Sequence, residues 1–206
     1  MKTSPDPQFS LDQAGLDEKA IQKFEAYLAL LLRWNARINL TAVRKPEDIL
    51  RRHFAESIFA AQHIPKKVKT LLDFGSGAGF PGIPIAICRP EIGVTLAESQ
   101  QKKAAFLREV VRTLALKAEV WPNRVEAMES ARVFEAVTLR AVEKMAHACQ
   151  LASARLAAGG WIGIFTTRKS ESALDKITGI RWDPVPTPIP GSSQQILKTG
   201  RTAARE

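Results

Sequence analysis

The chain has 206 residues, 45% hydrophobic and 25% charged, which suits one soluble folded domain with a modest extension and a real core. Thirty Lys and Arg against 21 Asp and Glu give a formal charge of +9. The excess is spread as +4, +2 and +3 over residues 1–70, 71–160 and 161–206, so it is no basic tail, and it points toward a polyanionic partner such as nucleic acid. Two cysteines, Cys88 and Cys149, exclude a disulfide scaffold, and His53, His63 and His147 are too scattered for a zinc cluster. With no bilayer-spanning apolar run and a polar start at Met1–Ser10, the expected setting is a reduced cytoplasm.

In chain order, residues 16–35 place Ile21, Phe24, Tyr27, Leu28, Leu31, Leu32 and Trp34 at helical spacing. Residues 47–63 do the same through Ile49, Leu50, Phe54, Ile58 and Phe59, with Pro46 at the start. Residues 1–65 thus read as a helical cap and 66–206 as the main domain. From 69 the pattern alternates: strand 69–74, helix 81–89, strand 93–98, helix 101–115, strand 118–122, helix 124–130, strand 134–139, helix 143–158, strand 160–166. Such alternation predicts an α/β fold with a doubly wound, mostly parallel sheet. Beyond it, Arg168–Ile177 reads as a helix. Residues 180–186 and 194–199 read as strands joined through Pro190-Gly191-Ser192-Ser193, with Asp183–Pro190 a plain connection.

The first strand runs into Asp73-Phe74-Gly75-Ser76-Gly77-Ala78-Gly79-Phe80-Pro81-Gly82-Ile83-Pro84, a glycine turn opening a helix. This arrangement makes a nucleotide-cofactor site at the carboxyl edge of a parallel sheet. Two registers compete. Gly77, Gly79 and Gly82 fit the dinucleotide pattern G-x-G-x-x-G. Asp73, Gly75, Gly77 and Gly79 fit the D-x-G-x-G-x-G of S-adenosylmethionine (SAM) enzymes, with Asp73 expected to emerge from the strand end. Pyrophosphate needs free N–H groups at the helix start, and Pro81 and Pro84 remove two of them. SAM carries no phosphate and a cationic sulfonium, so the balance favours SAM without closing the nicotinamide reading.

The ends of the later strands supply the other candidates. Glu98, 23 residues after Gly75, is placed to accept both ribose hydroxyls, which SAM and NAD share. Val125 and Glu126, after strand three, suit an adenine bracket. Arg140 ends strand four, where it would hold a cofactor carboxylate through a bidentate pair, hold an RNA phosphate, or merely pair with Glu143. The Asn/Asp-Pro-Pro-Tyr of exocyclic-amine methylation is absent after strand four, and no Cys ends a strand near the methyl group for covalent attack on pyrimidine carbons. A nucleophile that loses no proton, such as guanine N7, remains, and its catalysis would be in-line positioning without a catalytic side chain.

These residues, together with Gly75-Ser-Gly-Ala-Gly-Phe-Pro-Gly-Ile-Pro84, Trp34-Asn35-x-x-x-Asn39-Leu40-Thr41 and Arg52-His53-Phe54-x-x-Ser57, resemble the RsmG (GidB) family from about residue 16 to the end of strand five. The resemblance implies a Rossmann-like class I SAM-dependent methyltransferase with an antiparallel C-terminal strand, acting on guanine N7 in small-subunit (16S) ribosomal RNA without metal. It implies cofactor contacts from Gly75, Phe80, Glu98, Ser99, Gln100, Val125, Glu126 and Arg140, joined by Asp73, Ser76, Gly77 and Gly79 of the turn. The family usually has Asp where Glu56 stands and Ser where Thr138 stands. Arg44, Lys45, Arg51, Arg52, His53, Lys102, Lys103, Arg168 and Lys169 are the candidate RNA contacts, with Trp34 and Trp121 as possible stacking platforms. The expected molecule is a monomer. Its rivals are a nicotinamide oxidoreductase and a non-catalytic RNA-binding protein on the same fold.

Overall fold

A computed structural model describes residues 10–142, 144–172, 174–175, 177–183, 187–189 and 195–203. Helix α1 (Glu18–Asn35) opens on Asp17, whose carboxylate accepts from the Ala20 N–H at 2.8 Å. Its apolar stripe buries Phe24, Tyr27 and Leu31 completely. The second predicted helix forms as three continuous segments: α2 (Pro46–Ile49), a π turn over Leu50–Phe54, and α3 (Ala55–His63). Helical spacing alone does not announce the π turn.

Strand β1 (Thr70–Phe74) feeds the glycine turn and α4 (Gly82–Cys88), followed by β2 (Gly93–Ala97), α5 (Gln101–Thr113) and β3 (Ala118–Trp121). Then come β4 (Phe134–Arg140), α6 (Met145–Ser153), β5 (Leu156–Thr167), α7 (Arg168–Glu171), β6 (Ile180–Trp182), β7 (Thr187–Pro188) and β8 (Gln195–Thr202). The sheet order is β3-β2-β1-β4-β5-β8-β6, with β7 also on β8; β3 through β5 are parallel, and β8 runs antiparallel to β5, β6 and β7. The order reverses between β1 and β4, so a ligand crevice opens at their carboxyl ends.

Period-two alternation sorts the side chains to two faces. Leu71, Val94, Leu96 and Ala136 pack against α1, α3, α4 and α5 in one core. Leu72, Val137, Leu139, Ile162 and Ile164 pack against Ala148, Cys149 and Ala152 of α6 on the other. The N-terminal helices share the first core with the sheet.

Several predicted elements differ: the helix expected over 143–158 stops at Ser153 and residues 156–158 already belong to β5, and the strand expected over 180–186 ends at Trp182. The helix expected at 124–130 is only a 3-10 turn, Val125–Ala127, because the Arg155 guanidinium donates to the carbonyls of Val125, Met128 and Glu129 and curls the chain around itself. The helix expected over 168–177 ends at Glu171, where Glu171 and Asp175 both pair with buried Lys198 on β8. In place of an unbroken connection after Asp183, Thr187–Pro188 adds a short strand to β8. The turn at Pro190–Ser193 and the Glu143 pairing lie outside the described residues.

Tyr27, the chain's one tyrosine, ties α1 to the glycine turn: its hydroxyl donates to the Ala78 carbonyl at 2.6 Å, fully buried. Tyr27→Phe strands that carbonyl, and urea unfolding should show a loss of about 1–2 kcal/mol.

Candidate functional site

The glycine turn folds as its residue types require. Gly75, Gly77 and Gly79 have φ of +71°, +57° and +98°, a region that glycine occupies without strain. A Cβ on Gly75 would lie 2.8 Å from Val142 Cγ1, and one on Gly79 would lie 2.8 Å from the Tyr27 hydroxyl. The turn is pinned to the end of β2: Ser76 N donates to the Ala97 carbonyl at 2.9 Å, and Gly77 N donates to Glu98 Oε2 at 2.9 Å. Glu98 Oε1 accepts from Gln100 N at 2.7 Å. Each carboxylate oxygen keeps a second lone pair, so this buried side chain braces the turn and still presents acceptors to a vicinal diol.

Asp73 is not where the sequence suggested. Its carboxylate does not emerge from the sheet but is buried beneath the turn, on the α4 side. There Oδ1 accepts from Thr138 Oγ1 at 2.9 Å and Oδ2 from Gly82 N at 3.2 Å. Burial pushes its carboxyl up to about 6 against those hydrogen bonds. Thr138 therefore matters through its hydroxyl, a role not read from the sequence.

The helix start itself decides between the two cofactor registers. Gly82 N is taken by Asp73, Ile83 N by the Gly79 carbonyl at 2.8 Å, and Ile85 N by the Pro81 carbonyl at 3.0 Å. Pro81 and Pro84 have no N–H. Nothing is left in the first turn of α4 to bind a pyrophosphate, whereas SAM asks for none. The exposed Gly75 and the remaining acceptors of Glu98 stand together at the carboxyl ends of β1 and β2, where a nucleoside cofactor that needs no phosphate donors would lie.

Ser99 and Gln100 are exposed where α5 begins, Val125 is buried and Glu126 exposed on the 3-10 turn beyond β3. All four stand at carboxyl ends beside Glu98. Phe80 is largely buried, its ring centroid 4.7 Å from that of His53 and 5.5 Å from that of Tyr27.

Arg140 reaches across the sheet end to the π turn. Its Nη2 donates to the Arg52 carbonyl at 2.8 Å and to the Glu56 carboxylate, and lies 3.0 Å from His53 Nδ1. Its guanidinium lies between the rings of Phe80 and Phe165, 5.9 and 5.2 Å from their centroids. In this arrangement Nη2 is engaged, and Nη1 is buried and left without a partner among the described residues. Burial raises the Glu56 carboxyl, with Arg140 pulling the other way, and lowers the Arg140 guanidinium, so desolvation outweighs attraction on both sides of the pair.

Both ring nitrogens of His53 are engaged, Nδ1 with Arg140 Nη2 at 3.0 Å and Nε2 with Thr41 Oγ1 at 3.0 Å. Burial, with Arg140 and Arg52 nearby, lowers His53 to about 3. Between its ordinary value and about 3 the unfolded chain binds the extra proton, so this histidine makes stability fall as pH falls. Urea titrations from pH 7 to 4 should show a shallower decline for His53→Gln than for the native chain.

The basic candidates separate into groups. Arg52 and His53 line one cleft, Arg168 and Lys169 open α7 after β5, and Lys102 and Lys103 stand at the start of α5 beyond β2. Arg44 is held by the Asn35 carbonyl and Asn39 Oδ1, and Arg51 pairs with Asp48. Lys45 is exposed. Trp34 packs on Phe106 and donates to Glu109, and Trp121 donates to the Arg124 carbonyl, so both have structural partners.

Fold and site together define a class I SAM-dependent methyltransferase. The chain belongs to the GidB family, rRNA small subunit methyltransferase G, whose model matches residues 20–179. A ribosomal RNA small subunit methyltransferase G from Xylella fastidiosa (strain M23) is 43% identical over 145 residues, covering 70% of this chain and 68% of that one. One from Roseiflexus sp. (strain RS-1) is 36% identical over 194 residues, covering 88% and 83%. The fold also matches cofactor-bound Rv0187 from MTB, with a TM-score of 0.65, 16% identity and coverage of 98% and 100%. It matches the [4+2]-cyclase SpnF at a TM-score of 0.64, 12% identity and coverage of 91% and 97%. A cyclase on this frame shows that the frame alone names no reaction. The protein is a SAM-dependent rRNA methyltransferase.

Proposed function

We propose that the acceptor is N7 of a guanosine in 16S ribosomal RNA and that transfer proceeds by direct in-line displacement. One observation carries this reading: the acids and the histidine beside the methyl-donor end of the site are already engaged, and Glu126 stands on the adenine side. Glu98 is bound to two backbone N–H groups, Asp73 is buried beneath the turn, Glu56 is paired with Arg140, and both nitrogens of His53 are engaged. An exocyclic amine or ribose hydroxyl would have to surrender a proton; guanine N7 has none. Its lone pair forms the new N–C bond while the C–S pair stays with sulfur, so the sulfonium becomes a neutral thioether and the base takes the positive charge. The site's work is to hold donor and acceptor in line and dry.

In this reading Glu98 holds the ribose. Gly75, Ser76, Gly77 and Gly79 pass under the methionine end, Phe80 walls it, and Ser99, Gln100, Val125 and Glu126 flank the adenine. Arg52, His53, Arg168 and Lys169 meet the RNA backbone on one side of the crevice, with Lys102 and Lys103 on the other. Residues 1–65 act as a cap on the methyltransferase domain 66–206. Val133 is the one large apolar side chain left well exposed among the described residues, which supports a monomer. No described helix is long and apolar enough to cross a membrane, and an rRNA substrate supports a cytoplasmic setting.

The test is transfer from methyl-labelled SAM to small-subunit rRNA, naked and assembled, followed by nucleoside analysis. Label in 7-methylguanosine is expected. Label in another nucleoside, or RNA binding with no transfer, overturns the reading.

A further inference from the structure

Helix α5 leaves the carboxyl end of β2 three residues after Glu98 and returns along the sheet to β3, which runs parallel to β2. It therefore starts at the cofactor crevice and ends toward the opposite edge of the sheet. Its apolar face buries Ala104, Phe106, Leu107 and Val110. Lys102, Arg108 and Arg112 stand on the other side, exposed and without a side-chain partner among the described residues. At 3.6 residues per turn these three fall within about 120° of arc and spread over about 15 Å of helix.

The helix carries four cations, Lys103 included, against one acid. That acid, Glu109, lies between Arg108 and Arg112 in sequence but serves another element. Its Oε1 accepts from Arg33 and its Oε2 from Trp34 Nε1 at 2.9 Å, both on α1. Nothing in α5 is left to balance its own exposed face. The placement also runs against what a helix prefers. Arg108 and Arg112 repel one another at i,i+4, and Lys102 and Lys103 occupy a first turn that favours acids. Helix α1 is different, with Lys19, Lys23 and Arg33 set against Glu18 and Glu25.

We infer that the exposed face of α5 is a track for the phosphate backbone of the rRNA substrate, with Lys102 its inner contact and Arg108 and Arg112 its outer ones. This track extends the RNA contacts proposed at the crevice mouth. It depends only on rRNA being the substrate, whichever atom of the base is methylated. Charge and length both match. One strand of a duplex carries a phosphate about every 3.4 Å along its axis, so about 15 Å of helix faces about four of them. A polyanion laid there relieves the like-charge repulsion that the free chain leaves unneutralised. Direction fits as well: the track begins beside Glu98, so a strand whose base enters the crevice continues onto α5. Phosphate contacts of this kind hold the strand in register and carry no sequence choice, which is left to the crevice.

The test is binding and methylation of small ribosomal subunits by the full chain carrying Arg108→Gln and Arg112→Gln. The charge-matched control carries Lys66→Gln and Lys67→Gln, two exposed residues ahead of β1 at the amino edge of the sheet. Affinity is read over a range of KCl concentrations, and total methyl transfer from labelled SAM is read against subunit concentration. The arginine variant should bind about 10- to 100-fold more weakly at about 0.1 M salt, and its slope of log affinity against log salt should be shallower by about 1.5–2. KM for subunits should rise by a similar factor, with kcat and SAM affinity within about twofold of native. The lysine control should keep the native slope and KM. An arginine variant that matches the control would overturn the inference. Weaker binding with an unchanged salt slope would overturn it too, by placing protein and not phosphate on α5. So would a loss confined to kcat.

Discussion

Gly75→Asp should weaken SAM binding by at least about a hundredfold in calorimetry, some 2.8 kcal/mol or more. Two effects combine at this position. The backbone sits at φ +71°, where a side chain is strained by about 1–2 kcal/mol. Its Cβ would also lie 2.8 Å from Val142 Cγ1, so the new carboxylate has to enter the crevice or displace the 140–142 segment that borders it. The φ strain acts on the folded chain with or without SAM, so the melting temperature should fall by about 2–8 °C, and the intrusion of the side chain at this exposed turn adds the loss in binding. Unchanged SAM affinity would show that the cofactor lies elsewhere.

Glu56→Ala should cost about 3–5 kcal/mol of stability by denaturant unfolding and abolish turnover, because it leaves Arg140 charged, buried and short of its main partner. The side chains of Glu56 and Arg140 are only 5% and 10% exposed, so water cannot replace the lost carboxylate. Desolvation dominates both groups, and replacing the pair by Leu and Met should therefore restore much of the stability that Glu56→Ala loses. Recovery of stability without recovery of rate would identify the pair as a device for function. If Glu56→Ala melted like the native chain, the pair would not be the link between π turn and sheet that its geometry describes.

What the sequence discloses is what local pattern determines. The strand, turn and helix from Leu71 to Cys88 are legible because glycine and proline restrict the backbone residue by residue. Glu98 is legible because a fixed β-α-β length brings it to the neighbouring strand end. The prolines at 81 and 84 correctly disfavoured pyrophosphate, although the full reason, that Asp73, Gly79 and Pro81 consume the remaining helix donors, depends on three-dimensional placement.

Long-range choices were not legible. Asp73 reads as a ligand from its place in the motif, yet which way its carboxylate turns depends on Thr138, 65 residues away. The missing helix after β3 was decided by Arg155, which no periodicity around 124–130 reveals. Arg140 was found as a candidate from its position at the end of β4. Its partners Glu56 and His53, 84 and 87 residues earlier, could be connected to it only by the fold. One signal was available in retrospect: Arg52-His53 and Glu56 recur at helical spacing on one side of a helix, an unusual concentration of charge beside buried Phe54 and Ser57.

The most direct measurement is mass mapping of modified nucleosides in 16S rRNA from cells with and without this protein, repeated with Gly75→Asp as the sole copy. A single 7-methylguanosine should be present with the native protein and vanish both in its absence and with the variant. A modification map that is identical in all three would contradict the assignment of this site to rRNA guanine-N7 methylation.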